Sequence, residues 1–124
     1  MAGTKVHYFT DRDVEFTDLL IKIGLPRTVA TVLVFLANTQ EASSRDIERG
    51  TDLRQPEVSL AMQYLQERDW VDSRLEKTES IGRPQSLFKL SHPMIQIIDA
   101  IQKEKEDEIK RKIDLTQKIR DYIQ

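Results

Sequence analysis

The chain has 124 residues, of which 39% are hydrophobic, and a formal net charge of −2. This length predicts one compact domain with an extension. The absence of cysteine excludes disulfides and cysteine-based metal or redox sites, and two histidines are too few for a conventional zinc site. No apolar run approaches the roughly 20 residues of a membrane-spanning helix, and the N-terminus lacks the apolar segment of a secretory signal. We therefore expect a cytoplasmic protein without a cofactor.

Two helices are predicted after a short N-terminal arm, in which residues 5–9 alternate enough for a strand. The first helix spans 13–23, with Thr10 or Asp11 as its cap and Gly24 at its end. Its predicted buried stripe consists of Val14, Leu19, Leu20 and Ile23. The second helix spans Pro26 to Ala37 and is apolar nearly all round, which places it in the middle of the core.

A helix-turn-helix pattern follows. In residues 43–50, serine hydroxyls are available to cap a short helix and Gly50 to end it. After a tight polar turn at 51–53, a second helix is predicted over 54–65, with Pro56 in its first turn. The predicted buried residues of this helix are Val58, Met62 and Leu65. Its opposite face carries Arg54, Gln55, Ser59 and Gln63, which are residue types that contact base edges.

Two strands are predicted next, over 70–76 and 85–90, around a turn at Ile81-Gly82-Arg83-Pro84. Trp70 is expected to pack between helix and sheet. The predicted fold class is mainly α with a small β-hairpin. No acid–base pair, glycine-rich phosphate loop or nucleophile set indicates an enzyme.

The last element is predicted to be one long helix over 94–124, capped by Ser91-His92-Pro93. At about 1.5 Å per residue it would extend about 46 Å, which is more than the small domain can cover. Its apolar stripe includes Ile109, Ile113, Ile119 and Ile123. Packing back on its own domain and fraying in water are alternatives, but self-association is favoured because an unpaired isoleucine stripe is costly. The predicted organisation is an arm (1–12), a DNA-binding domain (13–91) and a dimerisation helix (92–124).

Four stretches carry a resemblance to a known family: 25–27 with the apolar helix after it, 43–50, 53–59 and 81–84. Together they span Leu25 to Leu90. In their order and spacing the chain resembles winged helix-turn-helix regulators of the MarR, ArsR and TrmB type, particularly the small predicted regulators of archaea. Two positions depart from the family pattern: Leu60 stands where Arg or Lys is frequent, and Arg54 where a capping Ser or Thr is frequent.

The resemblance implies a homodimer that binds double-stranded DNA, with the second helix of the motif in the major groove and the wing along the minor groove. We expect Gln55 and Ser59 to meet base edges, whereas Arg54 contacts phosphate and Gln63 touches only the backbone. Ser44 and Arg45 begin the first helix of the motif, where amides face a phosphate or Ser44 is a plain cap. Arg83 enters the minor groove or is a solvated turn residue.

Charge argues mildly against nucleic acid, because residues 44–90 contain eight Lys/Arg and nine Asp/Glu, a balance of −1. A basic patch must therefore be local. Its candidates are Arg45, Arg54, Arg74, Lys77, Arg83 and Lys89, and the alternative is an ordinary solvated surface. Two other functions stay open: a winged-helix module that binds protein, and a regulator with a small-molecule effector in the dimer cleft.

Overall fold

The computed structural model describes residues 9–77 and 84–124, and the predicted fold class is confirmed. The helices are α1 (Asp11–Ile23), α2 (Arg27–Ala37), α3 (Ser44–Thr51), α4 (Gln55–Glu67) and α5 (Met94–Asp121). The strands are β1 (Ala42–Ser43), β2 (Val71–Lys77) and β3 (Pro84–Leu90). The chain divides into a unit that ends at Ser91 and a second unit, His92–Gln124.

The sheet has three strands in the order β1-β3-β2, all antiparallel. β2 and β3 form the predicted hairpin, with Val71 opposite Leu90 and Lys77 opposite Pro84. β1 was not predicted. It has only two residues, with Ala42 opposite Phe88, so it is too short to show the alternation that identifies a strand.

α1 begins at Asp11, two residues before the predicted start, because Thr10 is its cap. The Thr10 hydroxyl accepts a hydrogen bond from the Asp13 backbone N–H (3.1 Å), and the Asp13 carboxylate accepts one from the Thr10 N–H (3.0 Å). Of the predicted buried stripe, only Leu20 is buried. Val14, Leu19 and Ile23 are exposed, so the prediction was wrong for these three residues.

α2 is the centre of the first unit, as predicted. Its buried residues are Val29, Ala30, Val32, Leu33, Val34, Phe35 and Leu36. α1, α3 and α4 all pack against it. A helix that is apolar on nearly every side stabilises the fold only when neighbours cover those sides, and here three helices and β3 pack against it.

α3 begins at Ser44 with a serine cap, as predicted, but its end differs from the prediction. Its cap is Ser43 rather than Ser44, because the Ser43 hydroxyl accepts a hydrogen bond from the Asp46 N–H (3.1 Å). Gly50 does not end the helix, which continues to Thr51 and ends where Asp52 adopts a left-handed conformation (φ 60°). Gly50 instead lies against the Phe35 ring of α2, which a Cβ at this position would overlap. The glycine therefore allows the close approach of α3 to α2.

The N-terminus of α5 is also simpler than predicted. The residue before the helix is Pro93, and no side chain caps the first turn. The Ser91 hydroxyl, which was expected to take part in the cap, is buried and has no hydrogen-bond partner among the described residues. From Met94 to Asp121 the helix is continuous, and residues 109–124 are all exposed.

Substitution Gly50→Ala tests the close approach of α3 to α2. We expect a loss of about 1–3 kcal/mol in the free energy of unfolding, because the added methyl group overpacks the core. This loss outweighs the gain in helix propensity, which is at most about 1 kcal/mol. Urea denaturation measures the effect.

The variant Phe35→Leu supplies the control. In this background the smaller side chain leaves room for the methyl group, so Gly50→Ala is expected to cost clearly less than in the native chain. Equal costs in both backgrounds would contradict the assigned contact.

Candidate nucleic-acid interface

The turn between α3 and α4 is fixed by local hydrogen bonds. The backbone N–H of Asp52 donates to the Glu48 carbonyl (2.9 Å). The Thr51 hydroxyl donates to the Ile47 carbonyl (2.6 Å) and accepts from the Leu53 N–H (3.3 Å). These bonds set the direction in which the chain leaves α3, and with it the direction of α4.

The start of α4 is capped by a carboxylate. Glu57 accepts a hydrogen bond from the backbone N–H of Arg54 (2.9 Å), and Pro56 lies in the first turn, where no N–H is needed. Arg54 stands in the usual place of a capping Ser or Thr, but its guanidinium has no acceptor and makes no cap hydrogen bond. Its side chain is exposed and has no polar partner in residues 9–77 and 84–124.

One face of α4 is held in the core and the other faces solvent. Val58, Met62 and Leu65 are buried, as predicted, together with Ala61. The exposed face carries Gln55, Pro56, Ser59, Leu60 and Gln63. Of these, Gln63 donates from Nε2 to the Glu67 carboxylate (3.3 Å). The side chains of Gln55 and Ser59 have no hydrogen-bond partner within the described part of the chain.

The N-terminus of α3 contributes two further candidate residues. Arg45 is exposed, whereas Ser44 is half-buried. Because Ser43 already caps the helix, the Ser44 hydroxyl is not needed there. Both residues lie in the first turn, where backbone amides attract anions.

The hairpin of β2 and β3 forms the body of the predicted wing. Beyond Val71 and Phe88, which are buried, most of its side chains are exposed. The predicted turn residues Ile81, Gly82 and Arg83 lie outside the described residues. Pro84 starts β3 opposite Lys77.

An ion pair joins this wing to the segment before β1. The Arg74 guanidinium donates from Nε to Glu41 Oε2 and from Nη2 to Glu41 Oε1, both at 2.7 Å. The bidentate bond to Arg74 lowers the pKa of Glu41 below its usual value, with a further contribution from Lys89. Arg74 was a candidate for the basic patch, but its charge is compensated here.

An aromatic cluster closes the corner after α4. Trp70 is buried, as predicted, and its ring lies 6.5 Å from that of Tyr64 at 59°. The Arg68 guanidinium stacks 3.6 Å from the Tyr64 ring centroid. Trp70 is thus a packing residue of the first unit.

The described residues contain neither a group that could hold a metal ion nor a membrane-spanning helix. Within residues 9–77 and 84–124, no group of three or more His, Asp or Glu is placed to hold a metal ion. In the same residues, no helix combines the length and the apolar character needed to cross a membrane.

Comparison with known proteins agrees with this geometry. The model of the MarR family matches residues 23–79. A possible transcriptional regulator from Methanosarcina mazei is 17% identical, with a TM-score of 0.64 and 87% of each chain covered. MepR, a transcription regulator of the Staphylococcus aureus multidrug efflux pump MepA, is 12% identical, with a TM-score of 0.52; 82% of this chain and 73% of MepR are covered.

A third similar structure is TrmBL2, an archaeal chromatin protein, which is 11% identical with a TM-score of 0.69. The alignment covers 90% of this chain but only 40% of TrmBL2. No curated protein sequence matches the chain. The predicted resemblance to winged helix-turn-helix regulators of the MarR type is confirmed, and the structural likenesses show the fold.

Two features of the site were not predicted from the sequence: the Glu41–Arg74 ion pair and the Glu57 cap. The Glu41–Arg74 ion pair joins residues 33 positions apart, and no local pattern marks it. The Glu57 cap had a signal, because an acidic residue three positions after the cap is part of the capping box, but Arg54 in the cap position concealed it.

The Glu41–Arg74 pair predicts a pH-dependent contribution to stability. Because the pKa of Glu41 is lowered in the folded state, its contribution is complete above the usual glutamate pKa and is lost as the pH falls through the lowered value. We expect the difference in unfolding free energy between the native chain and Glu41→Gln to shrink as the medium is acidified. Denaturant titrations between neutral and acid pH measure it.

The matched control is Glu15→Gln, which removes an exposed glutamate of α1 without an ion-pair partner in the described residues. Its difference from the native chain should stay constant over the same pH range. A constant difference for Glu41→Gln as well would show that the ion pair is absent in solution.

Proposed function

We propose that this chain, with a winged-helix fold and a match to the MarR family model over residues 23–79, is a transcriptional regulator that binds double-stranded DNA as a homodimer. The observation that carries the proposal is the solvent-exposed face of α4. Arg54, Gln55 and Ser59 present hydrogen-bonding groups there that the described part of the chain leaves without partners. The fold is shared with MepR, a transcription regulator, and with TrmBL2, a chromatin protein with a novel mode of DNA binding, which supports the proposal.

In this proposal α4 enters the major groove. Gln55 and Ser59 are one turn apart near its N-terminal end and meet base edges, with the Gln55 amide suited to adenine. Gln63, one turn further, contacts the backbone. Arg54 at the start of α4 and Ser44 and Arg45 at the start of α3 contact phosphates, which fix the register of the helix on the duplex. The two α4 helices of a dimer then lie about 34 Å apart, one turn of duplex.

The charge distribution gives phosphate contacts a limited share of the affinity. The net charge is −2, and Arg74 is neutralised by Glu41. The exposed cations of α3 are Arg45 and Arg49, and Arg54 is exposed at the cap of α4. Few phosphate contacts release few counterions, so we expect a shallow dependence of DNA affinity on salt.

Substitution Arg54→Ala tests the proposed phosphate contact. Loss of one charged hydrogen bond is expected to weaken binding about tenfold at low salt and to reduce the slope of log affinity against log salt by about one. A duplex selected from a random pool provides the probe, and fluorescence anisotropy at several salt concentrations measures both quantities.

The control Arg12→Ala removes an exposed arginine of α1 and should leave both quantities unchanged. The cap of α4 survives in Arg54→Ala because it uses the backbone N–H. If no duplex binds even at low salt, the chain is not a DNA-binding regulator. A protein-binding module would then become the better interpretation, because Leu60 exposes an apolar side chain on α4.

The homodimer is proposed to form through the C-terminal half of α5. The large apolar residues Ile109, Ile113, Leu115 and Ile119 of this half, and Ile123 just after the helix, are more than half exposed. Leu115, Ile119 and Tyr122 line an apolar groove, with Lys118 at its side. A second copy of the same helix offers a complementary stripe, and knobs-into-holes packing of the two would remove these side chains from water.

Substitution Ile119→Asp is expected to weaken the dimer about a hundredfold or more, because each copy loses the burial of one isoleucine, about 1.5 kcal/mol or more. Gln117→Asp introduces the same charge two positions earlier, on the opposite side of the helix, and should leave the dimer intact. Sedimentation equilibrium over a range of protein concentrations distinguishes the two. Equal dissociation constants for both variants would contradict dimerisation through this face.

A further inference from the structure

The exposed face of α4 has an unusual composition for a helix proposed to enter the major groove. Between Gln55 and Glu67 there is no lysine and no arginine. The centre of the face is instead occupied by Leu60, whose relative exposure of 67% is among the highest of the large apolar residues in the first unit. An exposed leucine alone is ordinary, so its position on the helix decides what it indicates.

Helix geometry places Leu60 among the residues farthest from the core. At 3.6 residues per turn, Pro56, Leu60 and Gln63 lie within about 60° of one another. They are opposite the buried side of α4, which is formed by Val58, Ala61, Met62 and Leu65. Because Gln63 is assigned to the backbone, a base at the middle of α4 is contacted by Pro56, by Leu60 or by the neighbouring Ser59.

The chemistry of these side chains matches one kind of base pair. In the major groove, guanine presents two acceptors that Arg or Lys contacts, whereas adenine pairs with the amide of Gln or Asn and thymine offers a methyl group to apolar side chains. α4 has a free amide at Gln55 and apolar groups at Pro56 and Leu60, whereas the amide of Gln63 donates to Glu67. It has no group of the kind that contacts guanine most often.

The carboxylates of α4 do not provide a contact to G·C pairs either. A free carboxylate could accept a hydrogen bond from the amino group of cytosine. However, the Glu57 carboxylate accepts from the Arg54 N–H at the cap, and the Glu67 carboxylate accepts from Gln63. Both are engaged within the helix.

We infer that α4 is specific for A·T base pairs and that Leu60 is a specificity-determining residue, which contacts the C5 methyl group of a thymine in the major groove. The inference rests on the proposed function, since it names the bases that the same face contacts. Leu60 carries no charge, so it contributes discrimination between bases and not affinity for phosphates.

The test begins with the full-length chain and duplexes selected from a random pool. The enriched half-sites should be rich in A·T pairs. Each thymine of the best duplex is then replaced by deoxyuridine, which lacks only the C5 methyl group. At one position of each half-site, this change should weaken binding about fourfold, the value of one buried methyl-sized group.

Substitutions at Leu60 connect that position to the side chain. Leu60→Ala should bind the thymine and uracil duplexes equally, whereas Leu60→Met should keep the preference because it remains apolar. Leu19→Ala removes an equally accessible leucine of α1 (63% exposed) and should leave the thymine-to-uracil ratio unchanged. Because the readout is a ratio for each variant, a general change in affinity does not affect it.

A second substitution in the DNA separates the two grooves. An inosine·cytosine pair has the minor-groove pattern of A·T but the major-groove pattern of G·C. Replacing the A·T pairs of each half-site by inosine·cytosine should abolish the preferential binding of that half-site if α4 contacts these pairs in the major groove. Full retention of binding would locate the selectivity in the minor groove and overturn the inference.

The outcomes distinguish this inference from the proposed function. Absence of binding to every duplex contradicts the proposed function itself. Binding to G·C-rich sites, or binding without a thymine-to-uracil difference at any position, leaves the regulator in place and overturns the role of Leu60. A thymine preference that Leu60→Ala retains assigns the methyl contact to another residue and equally overturns it.

Discussion

The close approach of α3 to α2 at Gly50 and Phe35 is the constraint on which the proposed interface depends. α2 is buried on all sides, so its neighbours have little freedom in how they pack against it. Gly50 lets the α3 backbone lie directly on the Phe35 ring, and the hydrogen-bonded turn at Thr51 to Leu53 then directs the chain into α4. The exposed face of α4 is therefore set by a contact in the core.

Electrostatic interactions in this chain serve structure as much as binding. The most strongly bonded exposed arginine, Arg74, is held by both oxygens of Glu41 and so ties the wing to the segment before β1. Exposed ion pairs contribute little stability on average, but bidentate geometry is the favourable case. In the proposed complex Arg74 is therefore not available to a phosphate, and recognition depends more on the contacts of α4 with bases.

The sequence predicted what local chemistry determines. Helix ends followed from Thr10, Pro26 and Pro56, and the buried side of α4 followed from its apolar spacing. The errors arose where distant residues decide. The apolar residues of α1 lie on more sides of the helix than α2 covers. Their spacing alone therefore did not show that Leu20 is buried and Leu19 is exposed. Gly50 was assigned to a helix end because glycine is typical of that position. Its contact with Phe35, which is 15 positions away in the sequence, could not be seen from local patterns.

The candidate interface was likewise predictable where local patterns determine it, and not where the three-dimensional arrangement does. Its residues could be selected from the sequence because the capping pattern, the turn and the spacing are local, and the structure places Gln55, Ser59 and Gln63 on one exposed face. The proposed role of Leu60 could not be inferred from the sequence, because it depends on the exposed position of this side chain beside these residues. A cation there would strengthen binding to every duplex alike through counterion release, whereas an apolar side chain gains only where a methyl group meets it. In the proposed complex, a helix without Lys or Arg in the groove and few phosphate contacts lower the general affinity but keep the difference between sites. For a regulator that difference, multiplied by the number of competing sites, decides where it binds.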